Sequence, residues 1–194
     1  MVEDAIARLV ARIRKLEGEL EAELSAKRET FRYTLKGKRV VFEKQIRLRH
    51  RALRMGLLRF LRESNFATIA TVPVIYSLIV PLAFLDAMVA LYQLICFPVY
   101  GIPRVPRGKY VVIDRHRLAY LNGIEKLNCV YCGYANGVIA WVCAVAARTE
   151  QYWCPIKHAR PAQPHDRYPE FLDYGDAEGY RERLDEQRHR AAEE

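Results

Sequence analysis

The hydrophobic residues near the start of the chain recur with a helical period. Five of them follow the a/d spacing of a coiled coil, with intervals of three, four, three and four: Ile6, Leu9, Ile13, Leu16 and Leu20. Leu24 departs from this register. The pattern predicts a helix from Glu3 to Thr30 and leaves two roles open for its apolar stripe. The stripe either packs against the rest of the chain or joins copies into a homo-oligomer through residues 3–30.

The next segment is basic. Residues 31–35 alternate like a strand and Lys36-Gly37-Lys38 has the composition of a turn, but the apolar residues from Phe42 onward return to helical spacing. We therefore predict a helix that is interrupted near Gly37. Nine Lys or Arg and one acid lie between Lys38 and Arg62, which is typical of a helix in an anionic membrane interface, with a solvated basic helix as the alternative. Residues 1–64 form a basic amphipathic helical region in this interpretation.

The segment from Phe66 to Ile102 holds 37 residues with a single charge, Asp86. A membrane-spanning helix needs about 20 apolar residues, so residues 65–103 are predicted to be embedded in a membrane in one of two ways. The first is a helical hairpin bent near Pro81, where the helix loses a backbone donor. The second is a single span over 66–85, followed by an interfacial helix. Asp86 is then a polar residue inside the membrane, with either a functional role or a local hydrogen bond.

Charge and cysteine content extend this picture. The net charge of +8 comes from 31 Lys and Arg against 23 Asp and Glu, which indicates an anionic partner. Most basic residues flank the apolar block, so lipid is favoured over nucleic acid, and no nucleic acid partner is expected. Basic residues on both flanks favour the hairpin with both flanks in the cytoplasm of a bacterial inner membrane. The first twenty residues lack a secretory signal, and an odd number of cysteines favours a reducing compartment.

Four residues after the apolar block have the types and spacing of zinc ligands. Cys129 and Cys132 form a C-x2-C pair followed by Gly133, and Cys154-Pro-Ile-Lys-His158 adds a thiol and an imidazole. A sharp turn at the first pair would place three sulfurs and one nitrogen around a metal ion. We therefore predict a metal-binding α+β domain over 104–176, with a short strand at 110–114. Three other residues remain open as the fourth ligand, namely His165, His116 and Cys143. The alternatives are packed cysteines and a catalytic dithiol.

Three resemblances accompany these residues. Cys129-Val-Tyr-Cys132-Gly-Tyr134 resembles the first knuckle of rubredoxins and related zinc ribbons, which implies iron electron transfer or a structural zinc; His158 departs from the four-cysteine rubredoxin pattern. The same string resembles the knuckle of HNH nucleases, but the catalytic Asp-His motif is missing between Tyr134 and Cys154. The whole chain resembles an uncharacterised group of proteobacterial membrane proteins that share the strings KLNCVYCGYANG and YWCPIKHA, which implies no activity.

Together these patterns predict a mainly α membrane protein. It would consist of N-terminal amphipathic or coiled-coil helices, a hydrophobic helical hairpin or single span, the small C-terminal metal-binding domain facing the cytoplasm, and a charged terminal helix over 177–194. The leading functional hypothesis is a membrane-attached zinc module that acts in assembly or recruitment of a protein partner. The alternatives are a rubredoxin-like iron electron-transfer protein and a metal- or thiol-dependent membrane enzyme. No phosphate loop or nucleophile motif favours an enzyme.

Overall fold

The computed structural model describes residues 2–30, 33–36, 39–42, 44–160, 165, 168, 171–172 and 183–190. The described chain is mostly helical, which confirms the predicted class. Its helices are α1 (Val2–Thr30), α2 (Lys44–Ala52), α3 (Leu57–Glu63), α4 (Phe66–Ser77), α5 (Ile79–Tyr100), α6 (Gly123–Trp153) and α7 (183–190). Two short strands, β1 (Tyr33–Lys36) and β2 (Arg39–Phe42), lie between α1 and α2. The chain divides into a first unit, residues 1–61 and 116–126, and a second unit, residues 62–115 and 127–194.

In the first unit, β1 and β2 form an antiparallel hairpin in which Tyr33 pairs with Phe42 and Leu35 with Val40. The prediction of a helix interrupted near Gly37 was therefore wrong for these residues. Five of the eight strand residues are aromatic or β-branched, and such residues favour a pleated backbone. The two positions between the strands, including Gly37, lie outside the described residues.

The start of α6 has a sequence-encoded cap. The Asn122 side chain accepts a hydrogen bond from the Glu125 amide at 3.0 Å, and the Glu125 carboxylate accepts one from the Asn122 amide at 2.7 Å. This reciprocal pair satisfies two amides that would otherwise lack helical partners, as in a capping box. The cap fixes the start of the helix at Gly123 and belongs entirely to the first unit.

In the second unit, α4 leads into α5 without a reversal of the chain. Leu78 joins the two helices in the right-handed helical conformation, and the Leu82 amide donates to the Leu78 carbonyl at 3.2 Å. Pro81 removes one amide from this turn but does not end the helix. The predicted hairpin bent near Pro81 is therefore not formed. The helix ends at Gly101, whose positive φ of 70° suits glycine and closes the last turn.

Helices α5 and α6 run parallel to each other. At one end the Tyr131 hydroxyl donates to the Ile75 carbonyl of α4 at 2.7 Å, and at the other end the Tyr100 and Tyr152 rings stack with centroids 5.0 Å apart. Residue numbers therefore rise together along both helices. A parallel pair requires a connection that returns along the length of the helices, and residues 101–122 supply it. We call residues 102–113 the return segment.

The predicted α+β domain is not present in the described part of the second unit. Residues 110–114 form no strand, and the segment after them is dominated by α6. The one β-type pairing there is an isolated bridge between Ile156 and Leu172. The apolar core lies instead between α5, α6 and the return segment, and consists of Phe97, Ile102, Val105, Trp141 and Val145.

In the part of the chain that the structure describes, two helices are long and apolar enough to cross a membrane. The first is the continuous stretch Phe66–Tyr100, with 35 residues, and the second is α6, with 31 residues. At a rise of about 1.5 Å per residue they are ~52 and ~46 Å long, against a hydrocarbon thickness of ~30 Å. Length and composition thus fit the predicted membrane location.

Candidate functional site

The residues predicted to bind a metal lie along one helix instead of around one point. Cys129 and Cys132 are inside α6, one turn apart, and Cys154 directly follows its last residue. Twenty-four helical positions separate Cys129 from Trp153, which corresponds to ~36 Å along the axis. Thiolates that share one zinc ion each lie about 2.3 Å from it. The structure therefore does not bring these three cysteines together.

The histidines and the remaining cysteines have other surroundings. The His158 ring stacks on Tyr168 at 5.9 Å, and the His165 imidazole lies 2.9 Å from the Glu150 carboxylate. Cys143 is exposed on α6, Cys96 is half-buried on α5, and His116 belongs to the first unit. Within the described ranges no three His, Cys, Asp or Glu side chains form a group that could hold a metal ion. Binding of zinc or iron stays a prediction.

Gly133 explains why the C-x2-C string was interpreted as a turn. It was assigned the left-handed backbone of a metal knuckle, but it is helical, and its role is close packing. A Cβ atom at Gly133 would lie 3.1 Å from the Val112 carbonyl oxygen, and one at Gly137 would lie 2.7 Å from the Val111 Cα atom. The G-x3-G spacing thus opens a flat strip on α6 against which the return segment lies.

The return segment occupies this strip and runs antiparallel to both helices. The Pro103 carbonyl accepts from Arg148 at 3.4 Å near the C-terminal end of α6, and Val112 contacts Gly133 near its middle. Between these points, Gln93 and Trp141 hold Val105. The buried Gln93 side chain accepts from the Val105 amide at 2.7 Å, and the Trp141 indole donates to the Val105 carbonyl at 3.1 Å. Side chains therefore satisfy the backbone groups of a segment that has no strand partner.

The centre of the site is an ion pair between α5 and the return segment. Arg107 donates from Nε to one Asp86 oxygen at 2.9 Å and from Nη2 to the other at 2.6 Å. The Tyr134 hydroxyl of α6 donates to the same carboxylate at 3.0 Å, and its ring centroid lies 6.0 Å from the guanidinium carbon. Hydrogen bonding to the carboxylate raises the pKa of Arg107 above its ordinary value. The bidentate geometry fixes both the charge and the direction of the side chain.

Sequence reasoning singled out Asp86 but missed most of its partners. Arg107 was counted as a flanking charge of the apolar block, whereas the return segment brings it back beside the middle of α5. Two signals could have identified the site. The first is Gln93, an amide in a stretch of apolar residues, and the second is the G-x3-G spacing at Gly133 and Gly137. Both indicate close backbone approach between helices and another segment.

The face of α5 opposite this site is apolar and exposed. At about 100° per residue, Asp86 and Gln93 lie ~200° and ~180° around the helix from Phe84. The exposed face carries Val80, Phe84, Met88, Leu91, Ile95 and Val99. Helix α4 adds exposed apolar residues, and no buried residue lies on it. The second unit therefore has one apolar face and one face covered by the charged return segment.

Comparison of the chain with protein-family models, with curated proteins and with solved structures gives no match.

Proposed function

We propose that this protein is a membrane-attached protein of the bacterial inner membrane whose second unit lies in the cytoplasmic interface of the bilayer. Its role is assembly or recruitment of protein at that surface. The observation that carries the proposal is the division of α5 into two opposite faces, one apolar and exposed, the other covered by the return segment.

The size of the apolar face supports a membrane environment. Fourteen large hydrophobic side chains between Phe66 and Val99 are exposed. If each presents roughly 70 Å² of apolar surface, the face exceeds the largest patches of typical soluble monomers, about 300–600 Å². Transfer of ~1,000 Å² out of water is favourable by about 25 kcal/mol. This is more than the usual stability of a whole domain, about 5–15 kcal/mol.

The charges on the return segment favour a helix pair that lies along the membrane surface. Four exposed basic residues follow the helices from the level of Arg148 to that of Gly133: Arg104, Arg107 and Lys109 in this segment, and Arg115 two positions after it. Those fifteen helical positions cover ~22 Å, most of the hydrocarbon thickness. An upright pair would place several of these charges in lipid, at a cost of about 2.5–3.5 kcal/mol for each near the centre. Irregular backbone in contact with hydrocarbon would add to that cost.

A side-on orientation also agrees with the basic flanks of the apolar block. The residues before Phe66 and those of the return segment then lie on one side of the membrane, and an excess of Lys and Arg favours the cytoplasmic side. The first unit carries a separate feature, the apolar stripe of helix α1.

Three measurements test the proposal, and extraction is the first. The protein should remain with membranes after carbonate and high-salt washes and leave them only with detergent, since salt screens charges but does not weaken apolar burial. Complete release by salt would contradict membrane burial.

The second measurement is of topology. Reporters fused after Leu35 and after Arg160 should both report the cytoplasm, and a periplasmic result for Arg160 would contradict the side-on orientation.

The third measurement compares two substitutions at positions of nearly equal exposure. Leu91 on the apolar face is 48% exposed and Val112 on the return segment is 50% exposed. With Leu91→Trp, the added fluorescence should be quenched by brominated lipid and protected from aqueous acrylamide. With Val112→Trp, the added fluorescence should be quenched by aqueous acrylamide and protected from brominated lipid. Quenching of both by lipid would indicate an upright pair, and quenching of neither by lipid would exclude membrane burial.

A further inference from the structure

The apolar stripe of α1 is exposed to solvent. Leu9, Ile13, Leu16 and Leu20 have exposures between 54 and 60%. Each is far more accessible than a residue packed against its own protein. The sequence left two roles open for this stripe, packing against its own chain or joining two copies. In the described residues the stripe does not pack against its own chain. The stripe is available to another helix.

We propose that α1 pairs with α1 of a second copy as a parallel, in-register, two-stranded coiled coil. In the heptad register, Ile6, Ile13 and Leu20 occupy a positions, while Leu9 and Leu16 occupy d positions. Isoleucine at a with leucine at d favours parallel dimers over higher oligomers. The seam ends at Leu20, because the next d position is Glu23.

Charges beside the seam select the parallel orientation. Arg12 is at a g position and Glu17 at the following e position, and both are exposed. In a parallel dimer, g of one helix faces the next e of its partner, so two Arg12–Glu17 pairs form between the copies. In an antiparallel dimer with Ile13 opposite Leu16, g faces g, so Arg12 would face Glu19 of the other copy and Glu17 would lose its arginine partner. The neighbouring acid Glu19 already has a partner in its own helix, Lys15, at 3.8 Å.

A membrane surface is a poorer occupant of this stripe. Four exposed acids follow one another at alternate positions in the C-terminal half of the helix: Glu17, Glu19, Glu21 and Glu23. Anionic headgroups attract basic segments by about 1 kcal/mol per Lys or Arg and repel acidic ones. A second copy of α1 supplies the arginine that complements Glu17. This proposal does not depend on where the second unit lies.

The test uses the full chain in detergent, with its mass measured by sedimentation equilibrium over a range of concentrations. The wild type should be a dimer that dissociates on dilution. Arg12→Glu should weaken the dimer about tenfold, because both interchain pairs change from attraction to repulsion. Glu17→Arg should do the same, and an equimolar mixture of the two variants should recover wild-type affinity. Arg8→Glu, with the same charge change at an outward position, should leave the dimer within about twofold of the wild type.

The Arg12→Glu substitution does not weaken helix formation in α1. Glutamate at position 12 stands four positions after Arg8 and three before Lys15, so its local pairs are favourable. A wild type that is monomeric at every concentration would overturn the proposal. So would a Glu17→Arg variant that dimerises as well as the wild type, which indicates an antiparallel seam. A mass above that of a dimer would overturn the two-stranded assignment.

Discussion

Replacement of Asp86 by asparagine removes the charge that holds the return segment against α5. The Asp86 side chain is 15% exposed and that of Arg107 is 42% exposed, so the pair lies between a surface ion pair, worth about 0.2–1 kcal/mol, and a buried one, whose disruption costs about 3–5 kcal/mol. Two charge-assisted bonds in this setting correspond to about 2 kcal/mol of local stability. Asparagine keeps the acceptor for Tyr134, so the loss reports mainly on Arg107.

Proteolysis of the return segment measures this loss directly. Tyr110 is a chymotrypsin site within the segment, and cleavage there requires local opening. A loss of 2 kcal/mol should raise the cleavage rate about 30-fold when opening is rapid relative to cleavage. Arg107→Met should have a similar effect, because it leaves the carboxylate without its bidentate partner. Tyr134→Phe, which removes one hydrogen bond, should raise the rate by less than tenfold.

A double-mutant cycle decides whether the two residues act as a pair. Asp86→Asn combined with Arg107→Met should accelerate cleavage by much less than the product of the single effects, since the interaction can be lost only once. If the rate increase in the double variant equals the product of the two single increases, Asp86 and Arg107 do not interact directly. Cleavage of both single variants at the wild-type rate would show that the ion pair does not hold the segment. Leu91→Ala, on the opposite face of α5, is the control for general loosening of the helix.

Two further substitution series follow from the structure. Gly137→Ala should destabilise the second unit by about 1–3 kcal/mol and Gly133→Ala by less, because the added methyl group meets the backbone of the return segment more closely at position 137. Gly18→Ala is the control, because open space surrounds it, and it should be neutral or stabilising. Thermal unfolding measures these effects, and an equal response to all three substitutions would show that packing is not the cause. Cys129→Ser and Cys132→Ser should leave chymotrypsin resistance unchanged, because both residues are helical and neither belongs to a group of three or more metal-ligand side chains in the described residues. Metal content near one ion per wild-type chain, lost in both variants together with resistance, would instead restore the predicted zinc site.

The local pattern of the chain determined the elements whose spacing is regular. The a/d intervals of α1 repeat with a helical period, and the apolar run after Phe66 has the length of a membrane-spanning helix. Both segments are helical in the structure. Short segments were less well determined. The hairpin of β1 and β2 was missed because each strand has four residues, too few to outweigh the helical spacing that follows.

Tertiary structure decided the candidate site, because its parts are distant in sequence. A C-x2-C string followed by glycine fits a metal knuckle and a helix equally well at the local level. In this structure the string is helical, and Gly133 allows the return segment to approach the helix closely. Asp86 and Arg107 are 21 positions apart and meet only because α5 and α6 are parallel. The sequence by itself established a helical chain with one apolar block and basic surroundings. The path of the return segment decided which charge neutralises Asp86 and which face of α5 stays exposed.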